Sequence, residues 1–596
     1  MRKSIFLGIF LVNIHLLPAQ KLVPTDFSFR SIVADNTDSL TNKMLSNVVT
    51  EVILQKNSLV WLGTGLGVSV IRDSITVETL PSSTELIEGF QDTLLPEGGI
   101  SAMAVGDQGS DYENIIFIAA AGSENDIPVG KGFAYTTNAT ATDIIWVYYN
   151  QRVDLTTKDT VGWAGGGYNF AVLPITVTQA NVTYDIAFSY HIDDEEEVEF
   201  AWTASWAGGL RRFEPPENPT DLGVWERVPL PMDDQFELNT CEDTSYTEVI
   251  NKNFEPDEPE YSKFLLTDYY LNPRDPEDDC DSLCGNHNHK AFSVLVYGDT
   301  IWVGTANGIN RGIIDPSAYY CIDWEHYSYP TQGLSGNFVV GLALQMYKGK
   351  RVIWAATVNA DDPTEQRGVS YTTNDGLSWN TALLGERVYN ITAHDSLVFA
   401  ATAKGLWKTE DGINWARYKP ARQAIPVPTY PSPPIHITDE VLANEVYSVA
   451  FDSRPYYGDN SIWIGTGDGA AYSYDLDGLN WKIFRAEYDQ DEDYAYPNPF
   501  SPYTHNVIGG DGYVRFHTNE WSGTFVIDLD VYNFAMEKVF AGSFDRRDAS
   551  SGALKWNGRD TQGRLVNNGV YFVKLNYPEN QTSKPSPHWV KLIVVK

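Results

Sequence analysis

One five-residue pattern returns seven times along the chain: a β-branched or small apolar residue, Trp or Phe, any residue, Gly or Ala, then Thr, Ser or Ala. The copies lie at 60–64, 116–120, 201–205, 301–305, 353–357, 398–402 and 462–466. Side chains of a strand alternate between two faces. In the fourth copy Ile301 and Val303 share one face and Trp302 takes the other. A strand apolar on both faces must be covered on both. Sheets stacked around a common axis meet that demand, and repetition at this scale marks a radial or solenoid architecture. The small fourth residue lets a neighbouring sheet come close. The repeated Trp is therefore expected to pack between sheets rather than to serve as a ligand platform.

The fourth unit shows the plan. Residues 291–297 form a run-up strand, Gly298-Asp299 turns the chain, 300–305 is the second strand, and Ala306-Asn307-Gly308 reverses it into 309–313. Asn-Gly suits such a reversal because both positions tolerate positive φ. Run-up strands precede the other copies at 47–54, 100–105, 183–189, 338–345, 388–393 and 446–451, and trailing strands are expected at 75–79 and 480–484. The run-up strand is expected nearest the central channel. Four strands in each of seven units predict an all-β fold, a seven-bladed β-propeller over residues 20–488.

At these residues the chain resembles two families. Ile301-Trp302-Val303-Gly304-Thr305-Ala306-Asn307-Gly308-Ile309-Asn310-Arg311 is similar to the repeat of the periplasmic two-component regulator propellers. Thr372-Thr373-Asn374-Asp375-Gly376-Leu377-Ser378-Trp379 resembles the Asp-box hairpin of sialidases and other secreted propellers, with Asn374 where Asp is usual. Residues 408–415 and 473–481 are more degenerate versions. The likeness implies a structural turn at the outer edge of a blade and says little of activity.

The aromatic positions 61, 117, 202, 302, 354, 399 and 463 are unevenly spaced, so the second to fourth units carry insertions. These include the acidic run 193–197 and the loop 233–290. Long insertions in a regular array are where binding residues concentrate. The Pro-rich stretch 420–434 reads as a stiff extended connection. Residues 27–33 read as an added edge strand that closes the ring onto the last blade.

The chain has 596 residues, too many for one ordinary domain. Its 79 acidic and 42 basic residues leave a net charge of −37, which argues against gripping a nucleic-acid backbone. The excess suits a soluble extracellular surface. The alternative is acidic loops that collect divalent cations. Arg2 and Lys3, the apolar stretch 5–17 and Pro18-Ala19-Gln20 have the form of a secretory signal over 1–19, cut after Ala19. That stretch is too short and interrupted to span a bilayer well. No Cys sits near the cut, which argues against a lipoprotein, and no later segment reads as a transmembrane helix. The expectation is a bacterial protein, secreted or on the outer cell surface.

Cys241, Cys280, Cys284 and Cys321 make an even count, so disulfides are expected, with three pairings open. Cys280 and Cys284 also lie close to His287 and His289, a donor set that suits Zn. The spacing matches no standard finger, and an oxidising compartment favours bridges. Structural Ca or Zn is the whole of the cofactor expectation.

After residue 488 the chain changes character. Tyr496-Pro497-Asn498-Pro499-Phe500, Trp556-Asn557-Gly558-Arg559-Asp560, Asn568-Gly569-Val570-Tyr571-Phe572 and Lys591-Leu592-Ile593-Val594-Val595-Lys596 mark short strands and Gly or Asn turns. They predict a β-sandwich over 489–596. These motifs resemble the Ig-like domain shared by flagellar hook-capping proteins and the C-terminal sorting domains of type IX secretion substrates. The resemblance implies export across an outer membrane, with this domain engaging the secretion machinery. The alternative is a spacer sandwich.

No catalytic constellation is recognised: no nucleophile elbow, zinc-protease helix or phosphate-cradling loop. Arg30-Ser31-Ile32 does not supply the sialidase signature, and Arg211-Arg212 reads as a solvated strand end. No catalytic or cofactor-binding residue is assigned. The favoured reading is a binding and scaffold protein that grips an extracellular protein or glycan with its axial face and inserted loops. A glycan-active hydrolase or lyase rests only on the Asp-box likeness and the compartment. A sensor propeller detached from any kinase is weakened by the lack of a transmembrane helix.

Overall fold

A computed structural model describes residues 44–56, 58–72, 77–107, 112–125, 127–153, 160–163, 168–172, 181–193, 196–216, 223–240, 246–250, 261–265, 270–271, 285–360, 362–419, 421–427, 435–441, 443–458, 460–486, 493–503, 512–517, 526–545, 554–577 and 587–596. The signal segment, the 27–33 strand, Cys241, Cys280 and Cys284 lie outside them. Among the described residues there is no α-helix: the chain is all β, a propeller followed by a sandwich.

Seven sheets follow one another, each built on a four-stranded antiparallel meander; Leu95–Pro96, Gln91–Asp92 and Glu237–Asn239 add a short fifth strand to sheets 1, 2 and 4. Sheet 1 is Val49–Gln55, Leu59–Thr64, Gly67–Ile71 and Val77–Ser83; sheet 2 is Gly99–Val105, Ile116–Glu124, Ile127–Thr136 and Trp146–Tyr149. Sheet 3 is Thr183–Asp193, Glu196–Ser205, Gly209–Glu214 and Val224–Arg227; sheet 4 is Ala291–Tyr297, Thr300–Thr305, Gly308–Asp315 and Ala318–Tyr327. Sheet 5 is Phe338–Tyr347, Lys350–Val358, Gly368–Thr372 and Asn380–Ala382. Sheet 6 is Val388–His394, Leu397–Thr402, Gly405–Thr409 and Trp415–Arg417; sheet 7 is Val446–Asp452, Ser461–Thr466, Gly469–Ser473 and Trp481–Phe484. Each first strand touches that of the next sheet, and the first strand of sheet 7 returns to that of sheet 1. The inner strands close into a ring.

Every first strand pairs with its second strand through the same irregularity. The residue opposite the fifth position of the repeated pattern, first in the strand for five sheets and second for sheets 2 and 5, is followed by one that bulges out: Thr50, Ser101, Tyr184, Phe292, Val340, Tyr389 and Tyr447. The next residue faces the small fourth one, as in Ser293↔Gly304 and Ser448↔Gly465. A Cβ on Gly304 would lie 2.5 Å from the Val339 carbonyl oxygen of sheet 5. A Cβ on Gly465 would lie 2.5 Å from Ser448 Oγ and 2.7 Å from the Val49 carbonyl oxygen of sheet 1. The small residue is thus the contact point of adjoining sheets.

The repeated Trp is fully buried at 61, 202, 302 and 463 and nearly so at 354. A buried indole N–H needs an acceptor. Each finds it two residues beyond its cross-strand partner: Gln55 (2.8 Å), Ser189 (2.7 Å), Tyr297 (3.0 Å), Gln345 (2.9 Å) and Asp452 (3.0 Å). Sheets 2 and 6 carry Phe117 and Phe399 instead, and the same position there is Gly106 and His394. The Trp61–Trp146, Trp302–Trp379 and Trp354–Trp415 edge-to-face pairs, 6.2–6.3 Å between centroids, join sheets 1 to 2, 4 to 5 and 5 to 6. The fifth-position Thr closes the next turn: Thr64, Thr402 and Thr466 hydroxyls donate to the carbonyls of Gly67, Gly405 and Gly469 at 2.7–2.8 Å.

Two sequence expectations need correction. Arg211 and Arg212 are buried rather than solvated. Arg212 pairs with Glu226, donates to the Tyr319 carbonyl at 2.9 Å, and lies over the rings of Phe200 (4.4 Å) and Trp163 (4.5 Å). A planar guanidinium is weakly hydrated and stacks on aromatic faces, so it can fill the space between sheets. The Pro-rich stretch is no single extended connection, because Arg422–Val427 pairs with Ile435–Glu440 as a hairpin. Part of the insertion in the third unit is a longer strand pair: Asp193↔Glu196 ends a ladder that lengthens the first two strands of sheet 3.

The sandwich packs Tyr494–Tyr496, Val514–His517 and Lys555–Trp556 against a sheet ordered Lys538–Asp545, Val526–Tyr532, Gly569–Asn576 and His588–Val594. The motif residues hold it together. Asn498 Oδ1 accepts the Ile593 N–H at 2.9 Å, Phe500 N–H donates to the Ile593 carbonyl at 2.8 Å, and Trp556 Nε1 donates to the Arg559 carbonyl at 2.8 Å.

Gly465→Ala should overpack the joint between sheets 7 and 1 and cost about 1–3 kcal/mol. Equilibrium denaturation measures it, and an unchanged midpoint would contradict this contact.

Candidate functional site

In an antiparallel meander the turns between second and third strands lie on the same face as the connections between sheets. The longest stretches between strands of the meanders all leave from that face: 84–98, 150–182, 228–290 and 418–445 are connections, and 359–367 joins the second and third strands of sheet 5. The sequence placed the insertions in the second to fourth units. Their shared face follows only from the topology.

The bulges stand at the same face, since each lies near the start of its inner strand. A bulge re-aims a side chain, and here neighbouring ones meet. Tyr184 and Phe292 rings lie 5.6 Å apart, Phe292 packs on Trp206 (5.2 Å) and Phe338 (5.8 Å), and Tyr389 meets Tyr447 at 5.5 Å. Both of these phenols donate to Glu445, at 3.2 and 2.9 Å. Burial, then the Glu445 charge, holds both phenols well above the usual tyrosine range.

At or just beyond three of the bulges, polar side chains stitch one inner strand to the next. Thr50 Oγ1 donates to the Ile100 carbonyl at 2.8 Å, Ser293 Oγ to that of Val339 at 3.1 Å, and Asp185 Oδ2 accepts the Val294 N–H at 2.9 Å. Burial pushes the Asp185 carboxyl up to about 7, against the effect of two backbone N–H donors. Glu51, at the equivalent place in sheet 1, is raised by burial first and then by Asp185.

A cavity of about 490 Å³ opens on the insertion face between sheets 4 and 5. Its walls are separate pieces of chain tied by carboxylates. Asp233, from the connection after sheet 3, accepts the N–H groups of His287 (2.9 Å) and Asn288 (2.8 Å) and the side-chain amide of Asn307 (3.1 Å). Glu365 accepts from Ala360 N (2.5 Å), Asn337 N (3.1 Å) and Asn337 Nδ2 (3.3 Å). Burial raises the Glu365 carboxyl above its ordinary value. His326, buried in the wall, sets Nδ1 2.9 Å from the Gln235 carbonyl oxygen and Nε2 2.6 Å from that of Asn307. Phe236 and Tyr329 supply the aromatic surface.

The sequence-predicted metal residues divide. His287 lines this cavity. His289 is fully buried with Nε2 3.2 Å from the Leu230 carbonyl, and burial pushes it down to about 4, so it stands neutral as a structural donor. Cys280 and Cys284 lie outside the described residues, and no group of three or more metal-ligating side chains occurs among the described ones. Cys321 is disulfide-bonded. Among the described residues no helix is long and apolar enough to cross a membrane. The cavity residues went unassigned in the sequence because they come from five separate segments with no common motif.

No family model matches the chain, and no curated protein matches it. Several solved structures are similar. The extracellular domain of a candidate hybrid two-component system from B. thetaiotaomicron is 10% identical over 94% of this chain and 99% of that one, with a TM-score of 0.19. An ancestral GH74 enzyme is 11% identical over 90% and 79%, with a TM-score of 0.24. PorZ, a surface component of the type-IX secretion system of Porphyromonas gingivalis, is 12% identical over 92% and 87%, with a TM-score of 0.15. None of these likenesses extends to what this chain binds or does.

Asp233→Ala should strand three donors and cost about 2–3 kcal/mol, with new proteolytic cleavage at 285–290; an unchanged digest would refute the tie. Asp185 predicts a pH effect of definite sign. Between about pH 4 and 7 the unfolded chain has lost this proton while the folded chain keeps it, so stability falls as pH rises. Asp185→Asn should flatten the fall in Tm across that window, and an identical slope in both proteins would refute it.

Proposed function

We propose that the seven sheets are the blades of one secreted or surface-exposed propeller, a binding and scaffold protein that presents its insertion face to an extracellular protein or glycan. The observation that carries this reading is the placement of the long segments on one face, where two of them, 228–290 and 359–367, help to wall a preorganised cavity. Rigid sheets with variable connections on a single face are a common arrangement for recognition. A cavity of about 490 Å³ falls within the usual size range of ligand sites. We further propose that the sandwich at 489–596 serves as the sorting module its motifs resemble. Its motif residues are engaged in holding the sandwich together, so any docking would use the remaining surface.

Two measurements test this together. Full-length protein and a chain ending before residue 489 are expressed in a type IX-competent bacterium and followed by fractionation. The full chain is expected at the surface or in the medium and the truncated one in the periplasm. Glycan and surface-protein arrays should then give a ligand that protects 328–337 and 359–367 from protease. Equal export of both forms would overturn the sorting role; a ligand protecting only the opposite face would overturn the binding face; reproducible release of reducing ends would replace binding with catalysis.

A further inference from the structure

The cavity between sheets 4 and 5 has a chemistry that narrows its ligand. Two aromatic rings, Phe236 and Tyr329, share its wall with the amide and hydroxyl side chains of Asn307, Asn337, Ser328 and Thr331. Three carboxylates line it, Asp233, Asp362 and Glu365, together with two imidazoles and neither Lys nor Arg. Asp233 and Glu365 are occupied by the loops they tie. Asp362 differs: it is exposed at the rim, where Oδ1 accepts the Thr364 N–H at 2.7 Å and the Thr364 hydroxyl at 2.6 Å. Oδ2 has no protein partner among the described residues. Those two bonds hold its carboxyl below the ordinary value, so it is ionised at neutral pH. The same Thr364 hydroxyl lies 2.6 Å from the Tyr329 hydroxyl, which fixes ring and carboxylate side by side.

An anionic ligand would meet like charge here. A purely apolar one would take the Asp362 carboxylate out of water without giving its second oxygen a partner, at a cost in desolvation. A lysine side chain would satisfy the charge and leave most of the volume and the polar wall unused. A sugar ring carrying a protonated amine answers all of it: its apolar face lies on an aromatic ring, its hydroxyls meet the amides, and its ammonium meets Asp362 beside an aromatic face.

We propose that this cavity binds a hexosamine with a free, protonated amine, with Asp362 as its ion-pair partner and Tyr329 and Phe236 as its flank. This rests on the binding-face reading and gives it a substrate class.

The test is calorimetric titration of the full chain at pH 6 and low salt with three probes: a β-1,4-glucosamine tetramer, its fully N-acetylated form, and a lysine-containing peptide. The glucosamine tetramer is expected to bind. Acetylation removes the charge and should weaken binding about tenfold, as should Asp362→Asn, the scale of one charge-assisted hydrogen bond. Asp477→Asn, an exposed acid on the opposite face, is the control and should change nothing. Equal or tighter binding of the acetylated tetramer or the peptide, no binding of the glucosamine tetramer, or an Asp362→Asn protein that binds like the parent would overturn the proposal. Should another ligand protect 328–337 from protease while the glucosamine tetramer does not bind, the amine assignment fails and the binding face stands. Should no ligand protect that face, both fail.

Discussion

The Val339 carbonyl oxygen stands where a side chain on Gly304 would begin, and the Val49 carbonyl stands in the same relation to Gly465. Backbone from one sheet therefore abuts backbone of its neighbour. Such an approach leaves no room for water, so the second strand must be apolar on both faces, and its Trp must find its acceptor inside its own sheet. The acceptor two residues beyond the cross-strand partner meets that requirement wherever the indole is present. Where Phe replaces Trp, nothing needs accepting, and Gly106 or His394 occupies the place. The contact between Gly465 and Val49 applies the same rule to the two ends of the ring, joining the last sheet to the first.

The fold was legible because that rule acts within one short segment. Trp, Gly and Thr sit at fixed offsets, and each has a local task that the sequence exposes: packing, close approach, and turn closure. The bulges were not legible, since Thr50, Phe292 and Tyr447 share no side-chain chemistry and are aligned only by the ladder. Arg212 misled for a related reason. Charge is a guide to exposure only when nothing inside can receive it, and Trp163, Phe200 and Tyr319, far apart in sequence, receive it. The Pro-rich hairpin escaped detection because its pairing puts Pro426 in a ribbon that, among the described residues, hydrogen-bonds to no third strand.

The candidate site was less legible still. The repeated strands fix where connections begin and end, but not how they lie over one another. Asp233, Glu365 and His326 settle that, each joining pieces of chain that the sequence separates by tens of residues. Long segments with few apolar contacts would otherwise sample many arrangements. Tying them through buried carboxylates and an imidazole gives a rigid wall without enlarging the core.

Those ties bear on the net charge of −37, which composition alone assigns to solubility. Much of the acid is engaged internally, on donors that turns and indoles leave over. Asp411 accepts the N–H groups of Ile413 and Asn414, and Asp475 those of Leu479 and Asn480; both carboxyls are held below their ordinary value, Asp411 by those hydrogen bonds and Asp475 by its own against the opposing effect of burial. Asp452 takes the Trp463 N–H together with the Arg454 guanidinium. Turns abound in a fold made only of sheets, and every turn leaves N–H groups without ladder partners. A carboxylate is the strongest acceptor a side chain can offer them. Part of the acid excess is therefore a consequence of the architecture.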